Sequence, residues 1–178
     1  FDKTEYAELM AVSAHFGDSN YYSALPQPKR FREIYLSPVM GLVNRWSLWT
    51  DEKGTAVINL RGTTQNPVSW LANFYAAMIP AKCSLQLSND YKFVYNLADD
   101  PKATVHVGWM VATGFLVRDI LPRLDSLQRA GTNQFYIMGH SQGGAIAYLL
   151  TAYLYRLQQQ GTLPAALRFK TYCSAAPK

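Results

Sequence analysis

The stretch that most constrains this chain is residues 134–150, QFYIMGHSQGGAIAYLL. A run ending in hydrophobic residues leads into Gly139-His140-Ser141-Gln142-Gly143, and a small-residue helical pattern follows at once. This is a G-x-S-x-G elbow with a strand before it and a helix after it, the context that gives the motif meaning. The fixed positions alone would match by accident in about one chain in twenty of this length, so the flanks carry the argument. A serine exposed at such a turn requires the strand to reverse sharply into the helix, which predicts strained dihedrals at Ser141. The reversal brings two backbones together, so side chains at Gly139 and Gly143 would collide, and Gly144 and Ala145 keep the next turn slim. The start of the helix aims free N–H groups at the same point and favours a negative oxygen there. The bland alternative is a Gly-rich turn with an incidental serine.

Composition bounds the rest. At 178 residues the chain reads as a single domain, 1–178, long enough for a sizeable core. Hydrophobic residues make up 49% and charged residues 16%, which fits a globular protein rather than a disordered one. No run approaches the ~18 apolar residues of a membrane span, which predicts a soluble protein with no transmembrane segment. The net charge of +5 is scattered rather than blocked. That argues against nucleic acid as a partner and leaves transient contact with anionic interfaces as its plainest use. Two cysteines, Cys83 in a polar stretch and Cys173 in an apolar one, are too few for a disulfide framework. They pair only if the fold brings them together. The chain begins Phe1-Asp2 without an initiator Met or a signal peptide. A processed start is consistent with a secreted or periplasmic protein.

In chain order, residues 3–16 read as a helix with Tyr6, Leu9, Met10, Ser13 and Phe16 near one face and Gly17 just past its end. A polar loop over 18–30 follows. Phe31–Ser37 and Leu42–Thr50 read as strands, and the turn Asp51-Glu52-Lys53-Gly54 joins the second to a third, Thr55–Leu60. Apolar residues on both faces of that third run predict a central strand. It ends in Arg61-Gly62-Thr63-Thr64-Gln65. Asn66 then caps a helix that opens on Pro67 and runs to about Met78. Its stripe of Trp70, Leu71, Phe74 and Met78 fits ordinary core packing; the functional alternative is a lid or pocket-wall helix, with Trp70 and Phe74 over an apolar substrate. Residues 80–104 read as a polar, irregular loop or insertion with turns at Asn89-Asp90 and Asp99-Asp100-Pro101. A long helix, Trp109 to Gln128, is expected to break at Pro122 and stop near Gly131. After the elbow, its helix runs to about Gln160, and Arg168–Ala175 makes a last strand. Strands alternating with helices in the second half predict a parallel α/β sheet.

LRGT after a strand, a helix carrying a Trp soon after, VHVGW before a long helix, and GHSQGG after the next strand occur here in order. Together they resemble the class 3 lipases, the triacylglycerol lipase and feruloyl esterase group. The terminal TYCSAAPK is similar to that family's strand ending in a Pro-Arg-type turn. The resemblance implies an α/β-hydrolase fold: a mostly parallel sheet with an antiparallel N-terminal hairpin and helices on both faces, its C-terminal strands missing here. It implies Ser141 as nucleophile, and Thr63 and the backbone N–H of Gln142 as the oxyanion hole. It further implies acyl glycerols or similar lipid esters as substrates, with no metal and no cofactor. The chemistry asks for that pairing on its own terms, because attack on an ester builds a tetrahedral oxyanion that two preorganised donors stabilise by a few kcal/mol. The bland alternative for Thr63 is a plain strand-end turn residue. Gln142 replaces the family's usual Leu, and Trp109 its usual Phe. His106 and His140 read as hydrogen-bonded scaffold rather than as bases.

One thing is out of place. A serine needs a base and a carboxylate to activate it, and in α/β-hydrolases both follow the nucleophile. After Ser141 this sequence contains no Asp, Glu or His. Three explanations compete: a domain incomplete at its C-terminal side, with acid and base beyond Lys178; a hydrolase-like binding or scaffold module without catalysis; or an unusual base drawn from His106, His15 or an upstream Asp. On the first, the segment alone is inactive for want of its base. A peptidase or thioesterase would share the same elbow.

Overall fold

The computed structural model describes residues 1–16 and 24–177. Gly17, the first part of the 18–30 loop and Lys178 therefore lie outside the described residues. The elements are α1 (Lys3–Ala14), β1 (Arg32–Leu36), β2 (Trp46–Thr50), β3 (Thr55–Leu60), α2 (Pro67–Phe74), β4 (Met78–Pro80), β5 (Lys82–Ser88), β6 (Tyr91–Asn96), β7 (Thr104–His106), α3 (Val107–Arg129), β8 (Gln134–His140), α4 (Gln142–Gln159) and β9 (Arg168–Ser174).

The main sheet has five strands in the order β1-β2-β3-β8-β9. Pairing is antiparallel from β1 to β3 and parallel from β3 through β8 to β9. β3 lies in the middle and is buried at every position, as its two apolar faces require. Its hairpin with β2 turns on Asp51, whose carboxylate accepts from the N–H groups of Lys53 and Thr55. Gly54, at φ +74°, supplies the left-handed turn residue.

Helices cover both faces. α3 and α4 bury Met110, Leu116, Ile120, Ile146 and Leu150 against Ile58, Leu60, Phe135 and Ile137. On the other face α1 packs Leu9 and Val12 on Trp49, Val57, Met138 and Tyr172. The buried stripe of α1 is thus Leu9, Ala11 and Val12, while Ser13 and Phe16 are only half-buried. Polar anchors also hold that helix, among them Asn59 and Glu5. Asn59, fully buried in β3, donates to the carbonyl of Val12 and to Ser47 Oγ. Glu5 accepts hydrogen bonds from the hydroxyls of Tyr136 and Tyr172 and lies 2.6 Å from Lys170 Nζ.

Several local expectations need correction. The region 80–104 is not irregular: β4 pairs with β7, and β5 and β6 form a hairpin through Asn89-Asp90. The period-2 pattern of β6, which buries Phe93 and Tyr95 and exposes Lys92 and Val94, was the signal for it. Cys83 accordingly sits exposed on β5 rather than in a loop, and both cysteines are free. Burial pushes the Cys173 thiol up to about 11, which suits a packing residue. α2 stops at Phe74, not Met78, because the chain turns there to feed other partners. The carbonyls of Tyr75 and Ala77 accept from the N–H groups of Gly108 and Val107. α3 starts at Val107 and runs through Pro122 unbroken. The carbonyl that Pro122 leaves unpaired belongs to Arg118, on the exposed face, while Ile120 and Leu124 hold the helix down. The second strand begins only at Trp46, since Gly41 and Val43 take positive φ in a preceding turn.

The Glu5 anchor makes a testable point about α1. Burial tends to raise this carboxyl, but Lys170 and the two tyrosines hold it below its ordinary value. A carboxyl lowered by folding stabilises above its unfolded pKa and loses that contribution as pH falls through the folded value. Glu5→Gln should therefore cost about 1–3 kcal/mol in urea unfolding at pH 7, with the gap to wild type closing below about pH 4.

Candidate active site

β8 ends at His140 and α4 begins at Gln142, leaving Ser141 alone at the reversal. Its backbone sits at φ 56°, ψ −127°, a region costly for a residue with a side chain. Three backbone hydrogen bonds hold it there. The Ser141 N–H donates to the carbonyl of Ser174 on β9, and the Ser141 carbonyl accepts from the N–H groups of Gly144 and Ala145. The glycines answer to the expected collisions. A Cβ on Gly139 would come 2.0 Å from the carbonyl oxygen of Gly143, and one on Gly143 would come 2.4 Å from that of Leu60.

The register between β3 and β8 decides what lies beside the serine. Leu60 stands opposite Gly139, so the Arg61-Gly62-Thr63 turn leaves β3 directly against the elbow. Gly62 lets this happen: a Cβ there would meet the carbonyl oxygen of His140 at 2.8 Å. Thr63 and Gln142 come together as a result, the Thr63 hydroxyl donating to Gln142 Oε1 at 2.8 Å. Among the described residues, no backbone carbonyl accepts from the N–H of Thr63. The N–H of Gln142, in the first turn of α4, has no partner within the helix. Two free donors and a strained serine therefore share one corner.

Sequence reasoning missed Asn73 behind that corner, and it named Trp109 and His106 without the bonds that tie them to it. Asn73 of α2 donates from Nδ2 to Thr63 Oγ1 at 2.9 Å, and its Oδ1 accepts from Trp109 Nε1 at 3.1 Å. Its carbonyl lies 3.2 Å from His106 Nε2. His106 caps α3 by accepting from Trp109 N–H at Nδ1, so its Nε2 carries the hydrogen and donates to Asn73. Both ring nitrogens are thus occupied in scaffolding. His140 is exposed and lies 3.1 Å from Ser174 Oγ through Nδ1, on the α1 side. Among the described residues, no imidazole or carboxylate hydrogen-bonds the Ser141 hydroxyl. Nor, among them, does any group of three His, Cys, Asp or Glu residues fit a metal ion.

The apolar stripe of α2 is not core. The buried residues of α2 are Ser69 and Ala72, while Trp70, Leu71, Phe74 and Met78 are 46–74% exposed. The Trp70 and Phe74 rings stack at 5.9 Å. On the other side of the Gly62–Thr64 turn, a groove of about 610 Å³ opens toward Met10 and Ser13 of α1, with His140 on its edge. A second groove of about 670 Å³, between β5–β6 and α4, contains none of these residues. No helix among the described residues is long and apolar enough to cross a membrane.

The family model described as lipase (class 3) matches residues 57–178. Among solved structures, the chain is similar to a deletion mutant of a Rhizomucor miehei lipase in complex with its propeptide. The TM-score is 0.64 at 17% identity, over 100% of this chain and 54% of that one. It is also similar to a lipase from Rhizopus microsporus var. chinensis, at TM-score 0.60 and 20% identity, over 94% and 56% of the two chains. Lip2 lipase from Yarrowia lipolytica follows at TM-score 0.57 and 19% identity, over 85% and 53%. The chain thus spans about half the length of these lipases, and at such identities the likeness is one of fold, α/β-hydrolase. No curated protein sequence matches it.

The elbow contacts are tight enough to test by stability alone. Gly143→Ala should lower stability by about 2–3 kcal/mol, the usual cost of overpacking against a backbone that cannot yield, as read from the urea midpoint. Gly161→Ala, at a positive φ but with open space around it, should cost about 1–2 kcal/mol, from backbone strain alone.

Proposed function

The chain belongs to the class 3 lipase family, and from that premise we propose that it forms the nucleophile-bearing part of a serine carboxylic ester hydrolase acting on acyl glycerols or similar lipid esters. The observation that carries this reading is the strained Ser141 set beside the free N–H groups of Thr63 and Gln142. In the proposed reaction, Ser141 Oγ attacks the ester carbonyl as a base takes its proton. The resulting oxyanion accepts from the N–H groups of Thr63 and Gln142 and from the Thr63 hydroxyl. Collapse expels the alcohol, which receives the proton from the base, and leaves an acyl-enzyme on Ser141 that water hydrolyses by the same steps in reverse. No cofactor or metal enters this route. The base and its carboxylate are assigned to segments beyond Lys178, because no Asp, Glu or His follows Ser141 in this sequence. The segment 1–178 alone would then turn an ester over hardly at all.

In this reading α2 is a lid or pocket wall. Its exposed Trp70, Leu71 and Phe74 would make transient contact with a lipid interface. A non-catalytic hydrolase-like module is the alternative that the missing acid and base favour. A strand-end Asp followed by a His in the sequence past Lys178 speaks for the enzyme, and a stop codon there speaks for the module.

Ser141→Ala in the full-length protein should abolish both ester hydrolysis and labelling by a serine-directed phosphonate; labelling that survives removes Ser141 from the mechanism. Trp70→Ala with Phe74→Ala should reduce hydrolysis of aggregated ester about tenfold more than hydrolysis of a soluble short-chain ester. Equal losses on the two substrates count against the lid.

A further inference from the structure

The hydrogen bonds behind the oxyanion corner have a fixed direction. An indole N–H only donates, and Trp109 Nε1 gives its hydrogen to Asn73 Oδ1. That settles the Asn73 amide, whose Nδ2 then donates to Thr63 Oγ1. The Thr63 hydroxyl has a single hydrogen, and it goes to Gln142 Oε1. At the far end, Gln142 Nε2 is enclosed without a hydrogen-bond partner, in a residue only 2% exposed. An enclosed nitrogen is out of reach of a substrate. This side chain therefore acts through Thr63.

We propose that the Gln142 side chain is a positioning group that reserves the Thr63 hydroxyl for the transition state of ester hydrolysis. The proposal rests on reading Ser141 as nucleophile and the Thr63–Gln142 corner as oxyanion hole. In the resting protein and with ester bound, the amide oxygen of Gln142 keeps the Thr63 hydrogen, since an amide carbonyl is a better acceptor than an ester carbonyl. Once serine adds and the carbonyl oxygen becomes anionic, that oxygen is the stronger acceptor, and the hydroxyl swings to it. The Gln142 amide then turns over about its last torsion, and Nε2 donates to Thr63 Oγ1. A hydroxyl oxygen can accept from both Asn73 and Gln142 while donating once. The group left unpaired is now a carbonyl oxygen, which protein interiors tolerate better than an unpaired N–H. Bonds rotate, and the proton stays on Thr63 throughout. A hydrogen bond absent from the bound ester and present in the transition state raises turnover rather than affinity.

The test is a double-mutant cycle on a soluble ester in the full-length protein. Gln142→Met keeps the length and removes both donor and acceptor, and Gln142→Leu repeats the change with another shape. The freed hydroxyl then binds the ester carbonyl already in the ground state and loses the returning Nε2 donor. Both kcat and KM should fall by about fivefold, the net worth of one hydrogen bond, with kcat/KM held within about twofold. In a Thr63→Val background neither constant should move by more than about twofold, because no hydroxyl is left to direct. In the wild-type protein, the Gln142 side-chain amide protons should shift downfield by NMR when a phosphonate forms its tetrahedral adduct on Ser141. Ser141→Ala is run alongside. Hydrolysis that persists in it overturns the reading of the site and this inference together. With Ser141→Ala inactive, equal Gln142 effects in both Thr63 backgrounds, a fall in kcat alone, or amide signals unmoved by the adduct overturn the inference and leave the site reading standing.

Discussion

The structure depends on how closely two backbones approach at the elbow. The carbonyl oxygens of Leu60 and Gly143 stand where Cβ atoms on Gly143 and Gly139 would be, at 2.4 and 2.0 Å. This proximity sets the start of α4 almost on the end of β3, and the parallel register of Leu60 with Gly139 makes it possible. With a bulkier residue at either position α4 would have to lift. Thr63 would then lose Gln142, which lies 79 residues further along the chain, and the strained Ser141 would lose the support of β9 through Ser174. Strain of this kind persists only where the surroundings over-determine it. Here a third parallel strand, a helix start and two glycines all do so.

From that corner the polar run continues outward into α2, a helix whose apolar residues are largely exposed. α2 has two buried residues, Ser69 and Ala72, and it seats on α3 through backbone rather than side chains. A Cβ on Gly108 would come 2.1 Å from the carbonyl oxygen of Ala72. Asn73, held to Trp109 and His106, does the rest. An apolar helix held by a few directional bonds differs from one held by apolar burial: it has little area to lose on moving, but its movement carries Asn73 away from Thr63. Any displacement of α2 is therefore felt at the corner through Asn73 on Thr63 and through Ser69, whose Oγ accepts from Thr64 N–H, without a change in the elbow itself.

What could be read from the sequence was what short stretches fix by themselves. Gly139, Gly143 and Ser141 announced the elbow because the collisions they avoid lie within five residues or across one strand pair. β3 announced its central place by being apolar on both faces. Thr63 and Gln142 followed from a resemblance in order and context. Long-range partnership was not legible. The α2 stripe looked like core because helical spacing shows that residues share a face, not that a neighbour covers it. The 80–104 region looked irregular because its turn residues drew attention ahead of the alternation in YKFVYN. Pro122 looked like a break because its cost was visible and the packing of Ile120 and Leu124 was not. Asn73 carried no signal at all, and Trp109 stood out only as part of VHVGW, since the bond between them exists only once α2, α3 and the strand end meet.

The two halves of the proposed chemistry are built by different physical means. Stabilisation of the oxyanion would come from backbone donors and a turn set by residues 60–144 and braced by β9 through Ser174, with strain stored in advance. Activation of the serine needs a titrating side chain, and among the described residues both ring nitrogens of His106 are committed to α3 and Asn73. In serine hydrolases the oxyanion hole and binding alone retain about 10³–10⁴-fold of the rate enhancement when the triad is removed. If the activating pair sits beyond Lys178, the segment described here holds that residual part, and the remaining gain depends on a His reaching Ser141 from outside it. Ser141 is half-buried rather than enclosed, and no described carboxylate or imidazole holds its hydroxyl, so that approach is open.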